Sequence, residues 1–227
     1  MRLLNTVRYA ILSHTWGTKE ITFDDLSQPD HQQKPEYAKI EGCCQQAIRD
    51  RHTYVWVYYV YLVEVPTGQD PFLKDSAFKK GRWFTRGWTL QELLAPDGRT
   101  FLDIDITGIH QKHIVDSKYI HETTVALRLS WASRRSTSQQ DDQAYCLLGL
   151  MGANMPLLYG EGDKVFLRLQ EEIVKKSSDL SILAHGRYGY VNGIRDRVYR
   201  TETVLAKQPS DFQELRNDIS GMIYFSN

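Results

Sequence analysis

The sequence predicts an α/β domain with a mainly parallel sheet flanked by helices. Three observations point there. A short apolar run, Tyr9 to Ser13, ends in the polar turn His14-Thr15-Trp16-Gly17, as a buried strand does when its carboxyl end presents polar groups. A helical pattern follows at Tyr37–Arg49, with Tyr37, Ile40, Cys44, Ala47 and Ile48 at helical spacing. Tyr54 to Val65 (YVWVYYVYLVEV) is then almost uninterrupted in β-prone residues. Strand, helix and strand in that order make a βα unit returning to a parallel neighbour.

The remaining elements follow in turn. Thr22-Phe23-Asp24-Asp25-Leu26 opens a helix, with the threonine as cap and acids in the first turn. Tyr54–Val65 holds twelve residues, about 40 Å if fully extended. No Gly, Pro, Asn or Asp inside it can turn a hairpin, so it reads as one long strand or as two buried strands whose connection is missing. Pro66–Lys80 is a loop. Thr89-Leu90-Gln91-Glu92 has the form of a capping box for a short helix ending at Pro96. Phe101–His121 is poorly patterned. Val125–Arg135 is a helix with Val125, Leu129 and Ala132 on one face, and Ser138 caps another that Gly149 or Gly152 closes. Lys164–Lys176 is the strongest helix, with Phe166, Leu169 and Ile173 inside and Glu171–Lys175 and Glu172–Lys176 as outer i,i+4 pairs. From Gly186 the composition shifts toward Gly, Tyr and Arg, and Ser210-x-x-Gln213 suggests a capping box for a last helix. The boundary this implies lies near 185, dividing a domain at 1–185 from an extension at 186–227.

Composition narrows the function classes. The chain has 227 residues, 41% apolar and 25% charged, with mean hydropathy −0.46, the profile of a soluble globular protein. Lys plus Arg equals Asp plus Glu at 28 each, so no net field draws the chain to nucleic acid or anionic lipid. Cys43, Cys44 and Cys146 form neither a disulfide framework nor a CxxC pair, which fits the cytoplasm. There is no signal-peptide h-region at the start and no apolar run of about 20 residues to span a membrane.

No standard catalytic motif is present, neither GxSxG, GxxxxGK[ST] nor HExxH, and no catalytic set is assigned. Gly160-x-Gly162 reads better as a helix-entry turn than as a phosphate cradle. His110, His113 and His121 lack partners at ligand spacing, so no metal and no cofactor are expected. Two groups are candidates for ligand or partner contact. Ser13, His14 and Trp16 sit at a strand's carboxyl end, where open α/β sheets bind ligands. Arg82, Trp83, Arg86 and Trp88 pair cations with indoles that can stack on a planar ligand, but the favoured reading is a core Trp pair, both rings mostly buried and covered by Arg. Glu92 is an acid in the same stretch, with a capping role as its structural alternative.

These segments together resemble the heterokaryon-incompatibility (HET) domain family of filamentous fungi. The matching stretches are YAILSHTWG (9–17), ITFDDL (21–26), YVWV (54–57), YVYLVEV (59–65), GRWFTRGWTLQELLAP (81–96), ALRLSWASRR (126–135), DDQAYCLLGLMGANMPLLYGEG (141–162) and VFLRLQEEI (165–173). DLSILAH (179–185) and VLAKQPSDF (204–212) resemble the extension that often follows such domains. The resemblance implies a TIR-related α/β fold, a role in non-self recognition and programmed cell death, and protein partners from incompatibility or death signalling. Relatedness to TIR modules also admits NAD-glycohydrolase chemistry. Two departures stand out. The family carries a helix-containing segment between YVWV and YVYL, whereas here Val57 runs straight into Tyr58; Phe101-Leu102-Asp103 likewise meets Ile106 almost at once. The chain is therefore expected to be incomplete between 57 and 58 and near 103, as a mis-spliced or decaying gene copy would be. It is read as inactive toward NAD, because the missing segment is the natural source of the acid.

Overall fold

The computed structural model describes residues 10–17, 19–50, 57–66, 68–95, 104–185, 187–191, 194–198 and 204–217. Tyr9, Tyr54–Trp56, Pro96 and Phe101–Asp103, which figure in the sequence reading, lie outside these. The chain divides into two compact units, 1–83 and 84–227, with the division between Trp83 and Phe84.

In the first unit, β1 (Ala10–His14) pairs in parallel with β2 (Val57–Tyr61), from Ala10 opposite Val57 to His14 opposite Tyr61. The crossover carries α1 (Phe23–Leu26) and α2 (Tyr37–Arg49), as a parallel connection requires. Thr22 caps α1 as expected: its hydroxyl accepts from Asp25 N at 3.2 Å, and Asp25 returns a carboxylate oxygen to Thr22 N at 2.8 Å.

Two expectations for this unit are corrected. Among its described residues, 57–65, the β-prone run is strand only over Val57–Tyr61 and does not continue to Val65, and Val60, Tyr61 and Val63 are exposed. Among the described residues β1 is the only strand beside β2, and two strands cannot bury both faces of each other. The apolar stripe of α2 is turned inward only in part, with Tyr37, Ile40 and Ala47 half-buried. Cys44 is exposed and Ile48 is 74% exposed, while the buried residue of the helix is Lys39. An acidic cluster holds its ammonium inside, and this sets the helix's rotation.

The second unit is helical, with α3 (Thr89–Leu94), α4 (Ile104–Thr107), α5 (Gln111–Val115), α6 (Lys118–His121), α7 (Val125–Ala132), α8 (Asp142–Tyr145), α9 (Leu148–Met151), α10 (Lys164–Lys176) and α11 (Gln213–Asn217). The stretch read as poorly patterned holds α4, α5 and α6, whose four or five residues are too few to show a period. Trp131, Leu129, Tyr145, Leu169 and Phe212 are fully buried. Residues 209–217 pack on α7. The Gly, Tyr and Arg-rich stretch is an antiparallel hairpin, β3 (Arg187–Val191) with β4 (Ile194–Val198). The architecture is thus mixed, helix-rich with one small parallel pair, and compatible with the α/β class.

Several local expectations shift by a residue or a partner. Thr89 does not cap α3 but begins it. Trp88 stands at the N-cap, and the Thr89 hydroxyl donates to Arg86 O at 2.9 Å and accepts from Arg135 Nη1 at 3.1 Å. Ser138 Oγ accepts from Arg86 Nη2 at 3.1 Å, and α8 starts only at Asp142. On α10 Lys175 pairs with Glu172 at 2.7 Å, the i,i+3 neighbour in place of the i,i+4 one. Near the C-terminal end the capping carboxylate is Asp211, which accepts from Lys207 N and Gln208 N. Gly152, at φ 61°, closes α9 as a left-handed cap.

Gly87 is fixed by packing. Its N–H donates to Ser136 O at 2.9 Å, and an added Cβ would lie 2.5 Å from Thr137 Cγ2 and 3.0 Å from Cys146 Sγ. The Gly160–Gly162 turn enters α10 with both glycines at positive φ, 101° and 58°. Its amides are filled from within the protein: the buried Asp141 carboxylate accepts from Gly160 N at 3.1 Å and Gly162 N at 2.9 Å. Tyr145 ties the preceding loop to the same core.

Candidate functional site

A group of ionisable side chains gathers in the first unit where β1 ends. Alternation along the strand sends Ser13 and His14 to opposite faces. Ser13 is buried, and its Oγ accepts from Trp83 Nε1 at 2.7 Å, satisfying an indole that is 2% exposed. The chain then turns through Thr15–Gly17 and brings Glu20 back beneath the strand end. Gly17 N donates to Glu20 Oε1 at 2.6 Å, His14 Nε2 lies 3.4 Å from Glu20 Oε2, and Lys39 reaches from α2 to the same Oε2. Lys39 Nζ also lies 3.3 Å from Glu36 Oε2, one helical turn back.

Burial alone would raise the Glu20 carboxyl. The Lys39 ammonium, the Gly17 N–H and His14 outweigh it, and the group is held below the ordinary carboxylate value. Glu20 is therefore an anchored carboxylate with both oxygens engaged. Two acids thus share one lysine, Glu20 and Glu36 both facing Lys39 Nζ.

Of the residues singled out from sequence, Ser13, His14 and Trp83 are brought to this strand end. Trp16, in the same turn, is 70% exposed. Arg82 points to a neighbouring acid, with Nε donating to Glu64 Oε1 at 2.6 Å. Arg86, Trp88 and Glu92 belong to the second unit. There Arg86 binds Ser138, Glu92 is half-buried on α3, and Trp88 is 40% exposed. The Trp83–Trp88 core pair is thus corrected: one indole is interior and the other faces outward, because buried Gly87 between them docks against Thr137 and Cys146.

Glu20, Glu36 and Lys39 were not singled out from sequence. The available signal was the i,i+3 pair Glu36 and Lys39 at the start of α2, which looks like an ordinary solvated pair until Glu20 is placed beside it. Among the described residues no group of three His, Cys, Asp or Glu is arranged to hold a metal ion. His113 is buried with its Nδ1 3.2 Å from both Tyr119 O and Thr123 Oγ1.

Among the described residues no helix is long and apolar enough to cross a membrane. No family model matches the chain, and no solved structure matches it. Its sequence is 34% identical over 228 residues to the vegetative incompatibility protein HET-E-1 of Podospora anserina. The chain is a relative of a fungal incompatibility protein. The match covers 77% of this chain but only 17% of HET-E-1. Since 77% of 227 residues is about 175, the 228-residue match is longer by about 53 positions than the part of this chain within it.

Proposed function

We propose that this chain is a HET-type, TIR-related module of fungal non-self recognition, acting in the cytoplasm and promoting programmed cell death through contacts with other proteins. The observation that carries this reading is the similarity to HET-E-1, which runs through 77% of the chain. The excess length of that match supports the further reading that segments are missing at the Val57–Tyr58 junction and near Asp103. Inducible expression in a filamentous fungus, scored for vacuolation and loss of viability, tests the assignment. The chain should lower viability, weakly if segments are missing, and a version restored after Val57 should kill more strongly. A restored version that accumulates and leaves hyphae healthy would sink the proposal.

A second reading, NAD hydrolysis, is favoured by one feature: the Glu20 carboxylate lies with His14 at the carboxyl end of a parallel strand. Against it stands the engagement of both Glu20 oxygens by Gly17, Lys39 and His14, which leaves no lone charge to stabilise a ribosyl cation. Purified protein should therefore show no NAD turnover above buffer. Turnover abolished by Glu20→Gln, with folding intact, would select the enzymatic reading instead.

A further inference from the structure

Helix α10 has a second apolar stripe. Val165, Phe166, Leu169 and Ile173 face the core and are buried, as one amphipathic face requires. Leu167 and Val174, a heptad apart, lie on the other side and are 39% and 51% exposed. Steps of three, four and three residues put Lys164, Leu167, Glu171 and Val174 in one row. Lys164 and Glu171 are both exposed and neither forms an ion pair among the described residues, whereas the neighbouring Lys175 and Glu172 are paired with each other.

The loop before this helix adds Leu157, Leu158 and Tyr159, all exposed. Exposure here does not come from a loose backbone. Tyr145 holds both backbone polar groups of Leu158, Asp141 holds the amides of Gly160 and Gly162, and Tyr159 OH donates to Asp142 at 3.0 Å. Arg168 of α10 donates to Tyr145 Oη at 3.1 Å and pairs with Glu161 at 2.9 Å, locking the loop to the helix. Five apolar side chains are thus presented at fixed positions without burying themselves. Such preorganisation removes most of the ordering cost of association.

We propose that this face is the contact surface of a homodimer, with two α10 helices antiparallel about a two-fold axis beside Leu167. The charge pattern selects a second copy as occupant. Lys164 and Glu171 have opposite signs and lie three and four residues to either side of Leu167. A two-fold axis there sets Lys164 of each copy against Glu171 of the other, an isologous and self-complementary arrangement. With 28 acidic and 28 basic residues, two copies do not repel at a distance. This proposal is independent of the cell-death reading, since it concerns the purified chain alone.

Sedimentation velocity of the full chain from about 1 to about 100 μM, with dissociation constants in the micromolar range, tests it. A reversible monomer–dimer equilibrium is expected. Leu167→Ser with Val174→Ser should weaken it at least about tenfold while leaving the helical circular-dichroism signal in place, because both side chains are exposed. Lys164→Glu and Glu171→Lys should each weaken the dimer, and the two together should restore it. A chain that stays monomeric throughout overturns the proposal. So does association indifferent to the serine pair, or a double charge swap no better than either single reversal.

Discussion

The buried hydroxyl of Tyr145 holds Leu158 by both of its backbone polar groups, donating to Leu158 O at 2.8 Å and accepting from Leu158 N at 2.7 Å. One phenol thus does for an exposed loop what a neighbouring strand would do. Tyr145→Phe keeps the ring in the core and removes only the oxygen. The expected loss is about 1–3 kcal/mol, the cost of leaving backbone groups and Arg168 without their partner. Urea unfolding measures it, and faster hydrogen exchange at Leu158 should localise it. An unchanged Leu158 amide would show that the hydroxyl does not hold the loop.

Gly87→Ala should cost about 1–3 kcal/mol, because the new Cβ overlaps Thr137 Cγ2 at 2.5 Å in a packed interior. Thr137→Ser deletes that methyl. Combined with Gly87→Ala it should recover a good part of the loss, which a double-mutant cycle in thermal unfolding would reveal. Strictly additive effects would rule out the clash.

In the first unit, Lys39→Met leaves Glu20 enclosed with its main counter-charge gone. Breaking one side of such a buried pair typically costs about 3–5 kcal/mol, and adding Glu20→Gln should return part of it. Because two units need not unfold together, the measurement is residue-resolved hydrogen exchange at β1. The depressed Glu20 carboxyl also gives a sign for pH. Its stabilisation is complete above the ordinary glutamate value of about 4.5 and is lost as pH falls through the lower, folded value. Acid should therefore loosen β1 below about pH 4.5.

His113 works at milder pH. Burial pushes its imidazolium form down first, with Lys112 and His110 adding to the effect against the opposing bond at Tyr119 O. The unfolded chain then binds the proton more readily, so stability of the second unit falls as pH drops through about 6.5. His113→Gln should flatten that slope between about pH 7 and 5 in denaturation curves. A slope that persists would assign the proton to another group.

Much of the fold was legible in local patterns. The Thr22 cap and the bounds of α2 and α10 follow from a few adjacent residues, where short-range physics decides, and Gly152 was one of the two glycines read as closing a helix. What was not legible depends on partners far along the chain. Lys39 looks solvent-facing until Glu20 arrives from nineteen residues away, and it then outcompetes Ile48 for the interior. Thr89 has the spacing of a cap, but Arg135 claims its hydroxyl. Trp83 and Trp88 look alike in sequence; only the docking of Gly87 on Thr137 separates inside from outside. At the candidate site the strand end itself was readable through Ser13 and His14, while the carboxylate at its centre was not.

The glycine turn entering α10 behaves as a receptor whose guest is built into the chain. Asp141 occupies the place that an inorganic anion would otherwise take at these two amides. The occupant can also be exchanged. Asp141→Ala should weaken the turn, and millimolar formate should restore part of the lost thermal stability by mass action, in proportion to its concentration. Acetate should do so less well, because its methyl group needs room that Asp141 fills with its own chain. Chemical complementation of this kind would turn a structural carboxylate into a measurable binding constant.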